Sequence, residues 1–225
     1  MSEWRNKPRG AAAAALTALS LALLGCTTGH ATTSHAGTGH ATTGRAGSGR
    51  GASGTAQPSG AGLAGFAWFR PAAAPASWSR TTLPGRGATL SYPNTLSPMH
   101  GDRGTVTVGR DSRSGAVLVY LNVTPRQGDE TLRTWPSSRL EHLREDGESA
   151  VGVDGVSPSL NFRGGQGRCV IDHYTTDIHS NHYQEIACFV QGPHTASVLV
   201  AATSAGMWRT YQPLLDQVVS SYQAG

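Results

Sequence analysis

The chain has 225 residues, a formal charge of +4 and a pI near 9.3, a balance that invites a nucleic acid or an anionic surface as partner. Its location removes the invitation. From Ala64 to Gly225 there are 13 arginines and no lysine against 13 carboxylates, and the excess lies in Arg5, Lys7, Arg9, Arg45 and Arg50, offset by Glu3. No long basic run and no patch of cations interleaved with aromatics occurs, so nucleic acid is set aside.

Arg5, Lys7 and Arg9 form a positive start, and Ala11–Leu24 is an apolar run of 14 residues. That is the length of a signal-peptide core and short of the roughly 20 residues that span a bilayer as a helix. The run closes on Leu23-Leu24-Gly25-Cys26, which resembles the lipobox of bacterial lipoproteins. The resemblance implies removal of residues 1–25 and acylation of Cys26, with a palmitate-type chain among its lipids. The mature chain is then fastened to the outer face of the cytoplasmic membrane. Two or more acyl chains, at ~0.8 kcal/mol per buried methylene, anchor stably where one holds only reversibly. The plain alternatives are an ordinary cleaved signal peptide with Cys26 near the cut, or an uncleaved anchor.

Residues 26–63 are mostly Gly, Ala, Thr, Ser, His and Arg, with almost no large apolar side chain. Such a segment cannot bury enough surface to offset its conformational entropy, so it reads as a disordered tether. It contains a decapeptide, Thr28–Gly37, duplicated almost unchanged at Thr38–Gly47. The spacing of His30, His35 and His40 is sparser than in metal-binding histidine tracts, which favours a soluble spacer.

Residues 64–225 form one domain, with a core expected over 78–222. Pro71 and Pro75 suggest an extended lead-in. Strands are predicted at Ala88–Tyr92, Gly104–Gly109 and Ala116–Thr124, the last two joined as a hairpin through the polar loop ending at Gly115. From Asp129 to Glu145 the period changes to that of a helix, with Leu132, Trp135, Leu140 and Leu143 on one face. Pro136 predicts a kink or a restart near Trp135. Further strands are expected at Ser149–Val153, Ser159–Arg163, Arg168–Asp177, His182–Gln191 and Ala196–Thr203. A final helix follows over Met207–Tyr222, interrupted early by Pro213. The order argues an α+β fold with a mainly antiparallel sheet flanked by helices.

With Cys26 acylated, Cys169 and Cys188 remain as a pair in an oxidising compartment, so a disulfide is expected. A four-residue loop, Ile178–Asn181, sets Ile171 opposite Cys188 and leaves Cys169 on a diagonal. A bulge or another loop length brings the two cysteines face to face.

The hairpin also carries Asp172, His173, Asp177, His179, His182 and Glu185. Asp172 and Glu185 fall on one side with Tyr174 and Tyr183, where they are candidates for ligand or partner contact or for an acid pair. Two carboxylates without a cleft are not a glycosidase. Asp177, His179 and His182 are weak candidates for a zinc site at the tip, against a solvated polar turn. Arg126 precedes the first helix, where it can clamp an anion or simply pair with Asp129 or Glu130. No serine-hydrolase elbow, HExxH, P-loop or Rossmann glycine pattern is present.

Trp78, Leu83-Pro84, Ala88–Pro93, Gly104–Thr107, the run Tyr120–Gly128, Cys169–Asp172 and Glu185–Cys188 together resemble lipoproteins of high-GC Gram-positive bacteria with a PsbP-like (LpqN-type) domain. The resemblance covers about Trp78 to Tyr222. It implies an α-β-α sandwich used for binding or assembly rather than catalysis, with no catalytic residues and no cofactor. The sequence therefore reads as a lipid-anchored extracytoplasmic domain that binds an envelope protein, glycan or small ligand. A metal-dependent envelope enzyme built on the 172–185 cluster is the alternative.

Overall fold

The computed structural model describes residues 65–85, 87–111, 113–177 and 179–225. The leader, Cys26 and the tether lie outside the described residues. Alternation of apolar side chains builds the centre of the domain. Its strands are β3 (Leu96–Pro98), β4 (Val106–Asp111), β5 (Val117–Pro125), β6 (Ser149–Val156), β7 (Leu160–Phe162), β8 (Gly165–Thr175), β9 (His182–Gln191) and β10 (Ala196–Ser204). They form one sheet in the order β3-β4-β5-β10-β9-β8-β6, with β7 paired to β8 beyond the end of β6. Each pairing is antiparallel. Ahead of it β1 (Trp78–Thr82) and β2 (Thr89–Pro93) make a separate two-stranded sheet.

Because successive side chains on a strand point to opposite faces, the sheet buries two different surfaces. One presents Leu121, Val123, Cys169, Ile171, Ile186, Cys188, Leu199 and Ala201 to the C-terminal helix α2 (Trp208–Ser221). Leu215, Val218 and Val219 of α2 are fully buried there, at ~1.5–3 kcal/mol each as an upper estimate. The other presents Val170, Ala187, Phe189, Val200 and Ala202 to α1 (Trp135–Glu145), which lies along β6 and β8. Helices on both faces make an α-β-α sandwich.

The lead-in is a strap on the core rather than a free extension. Phe66 and Phe69 are buried, Phe69 meets Phe162 at a centroid distance of 4.8 Å, and Ala72 N–H donates to the Ser220 carbonyl at 2.9 Å. The chain end closes the same region: Gln223 exchanges backbone bonds with Thr89, and Ala224 N–H donates to the Arg163 carbonyl.

Three sequence expectations need correction. The first helix does not begin at Asp129; it starts at Trp135, where a restart was expected, and Pro136 falls in its first turn. There a missing N–H has no intrahelical partner to lose, so proline starts the helix instead of kinking it. Thr131 and Thr134 instead bond one another's backbone and side chains just ahead of it. Pro213 does not interrupt α2; the helix runs through it, and the residue four before it, Arg209, is exposed. Finally, Thr175 pairs with His182, so the β8–β9 loop is Thr176–Asn181, two residues longer than expected. That shift sets Cys169 directly opposite Cys188, and they are joined in a disulfide with a Cα–Cα distance of 4.0 Å.

Candidate functional site

The polar inlay of the α1 face begins with helix spacing. Trp135, Arg139 and Leu143 follow one another at i, i+4 and are the three buried residues of α1. Trp135 fixes one end, its Nε1–H donating to the Ala187 carbonyl at 3.0 Å. Four residues on, the same stripe aims an arginine at the sheet. Under it the register places Asp172 of β8 directly against Glu185 of β9, and neither side chain has any exposure. Arg139 Nε donates to Glu185 Oε1 at 3.0 Å and Nη2 pairs with the same oxygen. Asp172 Oδ2 is 3.7 Å from Arg139 Nε.

Burial is the main force on Asp172 and lifts its carboxyl well above the usual range. The Glu185 charge lifts it further, and Arg139 pulls it back. Burial also lifts the Tyr174 phenol well above its usual value and Tyr120 to about 12, in each case with the Glu185 charge adding to the rise. Tyr174 stacks on Tyr183 across the strands at 5.8 Å. Asn122 on the same face donates to Thr107 Oγ1 at 2.9 Å.

Beside Arg139 a cavity of about 70 Å³ opens between α1 and the sheet, lined among others by Asn122, Trp135, Ser138, His142 and Val200. At ~30 Å³ per water it holds about two, far below the ~300–1,000 Å³ of pockets for drug-sized ligands. A wider open hollow of about 480 Å³ lies toward the far end of β8 and β9, lined by Asp154, His173, Thr175, His182, Gln184 and others.

The residues singled out by sequence thus divide. Asp172 and Glu185 come together, but inside the domain and tied to Arg139. Asp177, His179 and His182 do not gather: His182 Nδ1 bonds Thr175 Oγ1 at 2.8 Å, and His179 sits exposed at the loop with a positive φ of 66°. His173 leans the other way, over Gly152 of β6, with Nδ1 at 3.0 Å from Asp154. Among the described residues no group of three or more His, Cys, Asp or Glu side chains could hold a metal ion. Arg126 is exposed; Nε donates to the Gly128 carbonyl at 2.9 Å and lies 3.9 Å from Glu130, so the local pairing is present. Arg139 is the residue that sequence reasoning missed. Its signal was the i, i+4 stripe between Trp135 and Leu143, where an arginine stands in an apolar position.

No protein-family model matches the chain, and no curated protein matches it. Among solved structures the chain is similar to the cyanobacterial PsbP protein CyanoP of Synechocystis, at 14% identity over 67% of this chain and 94% of that one, with a TM-score of 0.50. It is also similar to PA94 of Pseudomonas aeruginosa, a protein of unknown function, at 12% identity over 64% and 94% with a TM-score of 0.44. A third is LpqN of Mycobacterium tuberculosis, described as involved in cell envelope biogenesis, at 11% identity over 65% and 89% with a TM-score of 0.38. The fold is α+β and PsbP-like, as the sequence resemblance implied.

Proposed function

We propose that this chain is a lipid-anchored extracytoplasmic lipoprotein whose domain binds a cell-envelope partner or small ligand without catalysis. Cysteine usage carries the reading. Cys169 and Cys188 are wholly buried and joined, a state suited to an oxidising compartment. The remaining cysteine, Cys26, stands in the lipobox-like Leu-Leu-Gly-Cys. The burial of Asp172 and Glu185 under α1 counts against acid–base chemistry at this pair and equally against its touching a ligand or partner directly, so a binding surface would lie elsewhere on the domain.

Mass spectrometry of the full chain from its membrane, beside Cys26→Ser, tests the anchor. The wild type is expected to carry a diacylglyceryl mass on Cys26 that the variant lacks, and an unmodified wild-type Cys26 overturns the reading. Crosslinking in intact cells tests the binding half: repeated capture of one envelope protein or glycan is expected, and capture of nothing specific counts against it. Stoichiometric metal lost from both His179→Ala and His182→Ala would instead favour the metal-dependent enzyme.

A further inference from the structure

The α1 face holds a charge imbalance that its own geometry points to resolving. Arg139 brings one positive charge to two carboxylates that are both fully buried and directly opposed on paired strands. Only Glu185 Oε1 receives hydrogen bonds from the guanidinium. Asp172 Oδ1, Asp172 Oδ2 and Glu185 Oε2 are buried without a donor. Two ionised carboxylates only accept hydrogen bonds, so they cannot satisfy each other. One proton between them changes that, turning one acceptor into a donor and cancelling the excess charge.

We propose that Asp172 and Glu185 share a single proton, so that the Arg139–Asp172–Glu185 triad is neutral and the seating of α1 on the sheet is sensitive to pH.

Among the described residues, the groups that act most strongly on the pair add no second guanidinium or ammonium. From α1 come Arg139 and His142, and His142 faces Asp146 at 3.4 Å. From β5 comes Tyr120, from β8 Tyr174, from β6 Asp154 and from the turn after α1 Glu148; these add neutral phenols or negative charge. Asp172 is the member that burial and Glu185 favour as the proton's home. Its native pKa stands above its unfolded value, so the folded chain binds more protons than the unfolded chain between the two. Stability from this source is complete below the unfolded pKa and is lost as pH rises through the folded one.

Infrared spectroscopy of the purified full chain in detergent at neutral pH reads the proton directly. The expected result is one buried, protonated carboxyl band in the wild type. It should be absent from Asp172→Asn, which replaces the protonated acid by a neutral amide, and from Glu185→Gln, where Asp172 becomes the only counter-ion of Arg139. In urea denaturation the wild-type midpoint should fall from about pH 5 to about pH 8, and that fall should be smaller in Asp172→Asn. A wild type without the band overturns the proposal. So does a band that survives both substitutions, which would belong to another acid such as Glu148 or Asp216. Should neither variant fold, carbon-labelled aspartate and glutamate in the wild type decide it. A protonated Asp172 or Glu185 at neutral pH supports the shared proton, and two ordinary carboxylates overturn it.

Discussion

The two faces of the central sheet are made by the same strands and held by different physics. Along β8, Cys169 and Ile171 turn to α2 while Val170 and Asp172 turn to α1. The α2 face is apolar, crossed by a disulfide and filled with Leu, Ile and Val. Its stability scales mainly with area removed from water, with Asp216 of α2, whose carboxyl burial raises to about 6, as its pH-dependent exception. The α1 face has a smaller apolar patch around Trp135 and Phe189, and beside it a sealed arginine with two carboxylates. Burying such a group is costly, and it is tolerated only while every charge has its partner. The sandwich therefore has one face that tolerates loss gradually and one that is all-or-none.

The largest effect should come from unbalancing the α1 face. Arg139→Met keeps the length and apolar stem of the side chain but removes the charge, leaving the carboxylates buried without a cation. We expect a loss of ~3–5 kcal/mol in urea denaturation. The triple variant Arg139→Met, Asp172→Val, Glu185→Leu converts this face into a copy of the other in kind. It should recover to within ~1 kcal/mol of the wild type or exceed it. A triple variant as unstable as the single one would mean that the triad specifies packing that apolar residues cannot replace.

On the α2 face the matching disruption is removal of the bridge. Cys169→Ala with Cys188→Ala frees a loop closed at a sequence separation of 19, which should cost about 3 kcal/mol through the unfolded state. The midpoint shift should be the same across the pH range in which the triad titrates. A loss that itself varied with pH would mean that the faces are coupled through the shared strands.

The fold was legible in the sequence where alternation was strong. His182–Gln191 has the bounds expected from its pattern, and the α+β order follows from the changes of period. What was missed has a common cause. Pro136 read as a defect because a sequence shows a proline's cost but not its position in the helix; in the first turn there is no cost. The β8–β9 register was off by two residues because the loop contains polar residues that read equally as turn or strand. Arg139 went unnoticed because a helical stripe is read for apolar residues, and an arginine within it looks like a gap. Asp172 and Glu185 were found, but their partner lies 33 and 46 residues away, a contact that no local pattern contains.

The β8–β9 loop serves both faces, and it offers the smallest and most local test. His179 and Ser180 have positive φ angles of 66° and 49°, a left-handed conformation costing an L-residue roughly 1–2 kcal/mol and glycine much less. Glycine also raises the entropy of the unfolded chain, by about 0.4–1 kcal/mol. The difference leaves Ser180→Gly a stabiliser by up to about 1 kcal/mol in urea denaturation. Ser180 lies eight residues from Cys188 in the chain, at the end of a strand pair rather than in either core. The gain should therefore add to the effects of removing the bridge or of refilling the triad, because distant sites with no shared partner act independently. A gain that appears only without the disulfide would show that the turn and the bridge compete to set the register, and that the opposition of Asp172 to Glu185 depends on the bridge.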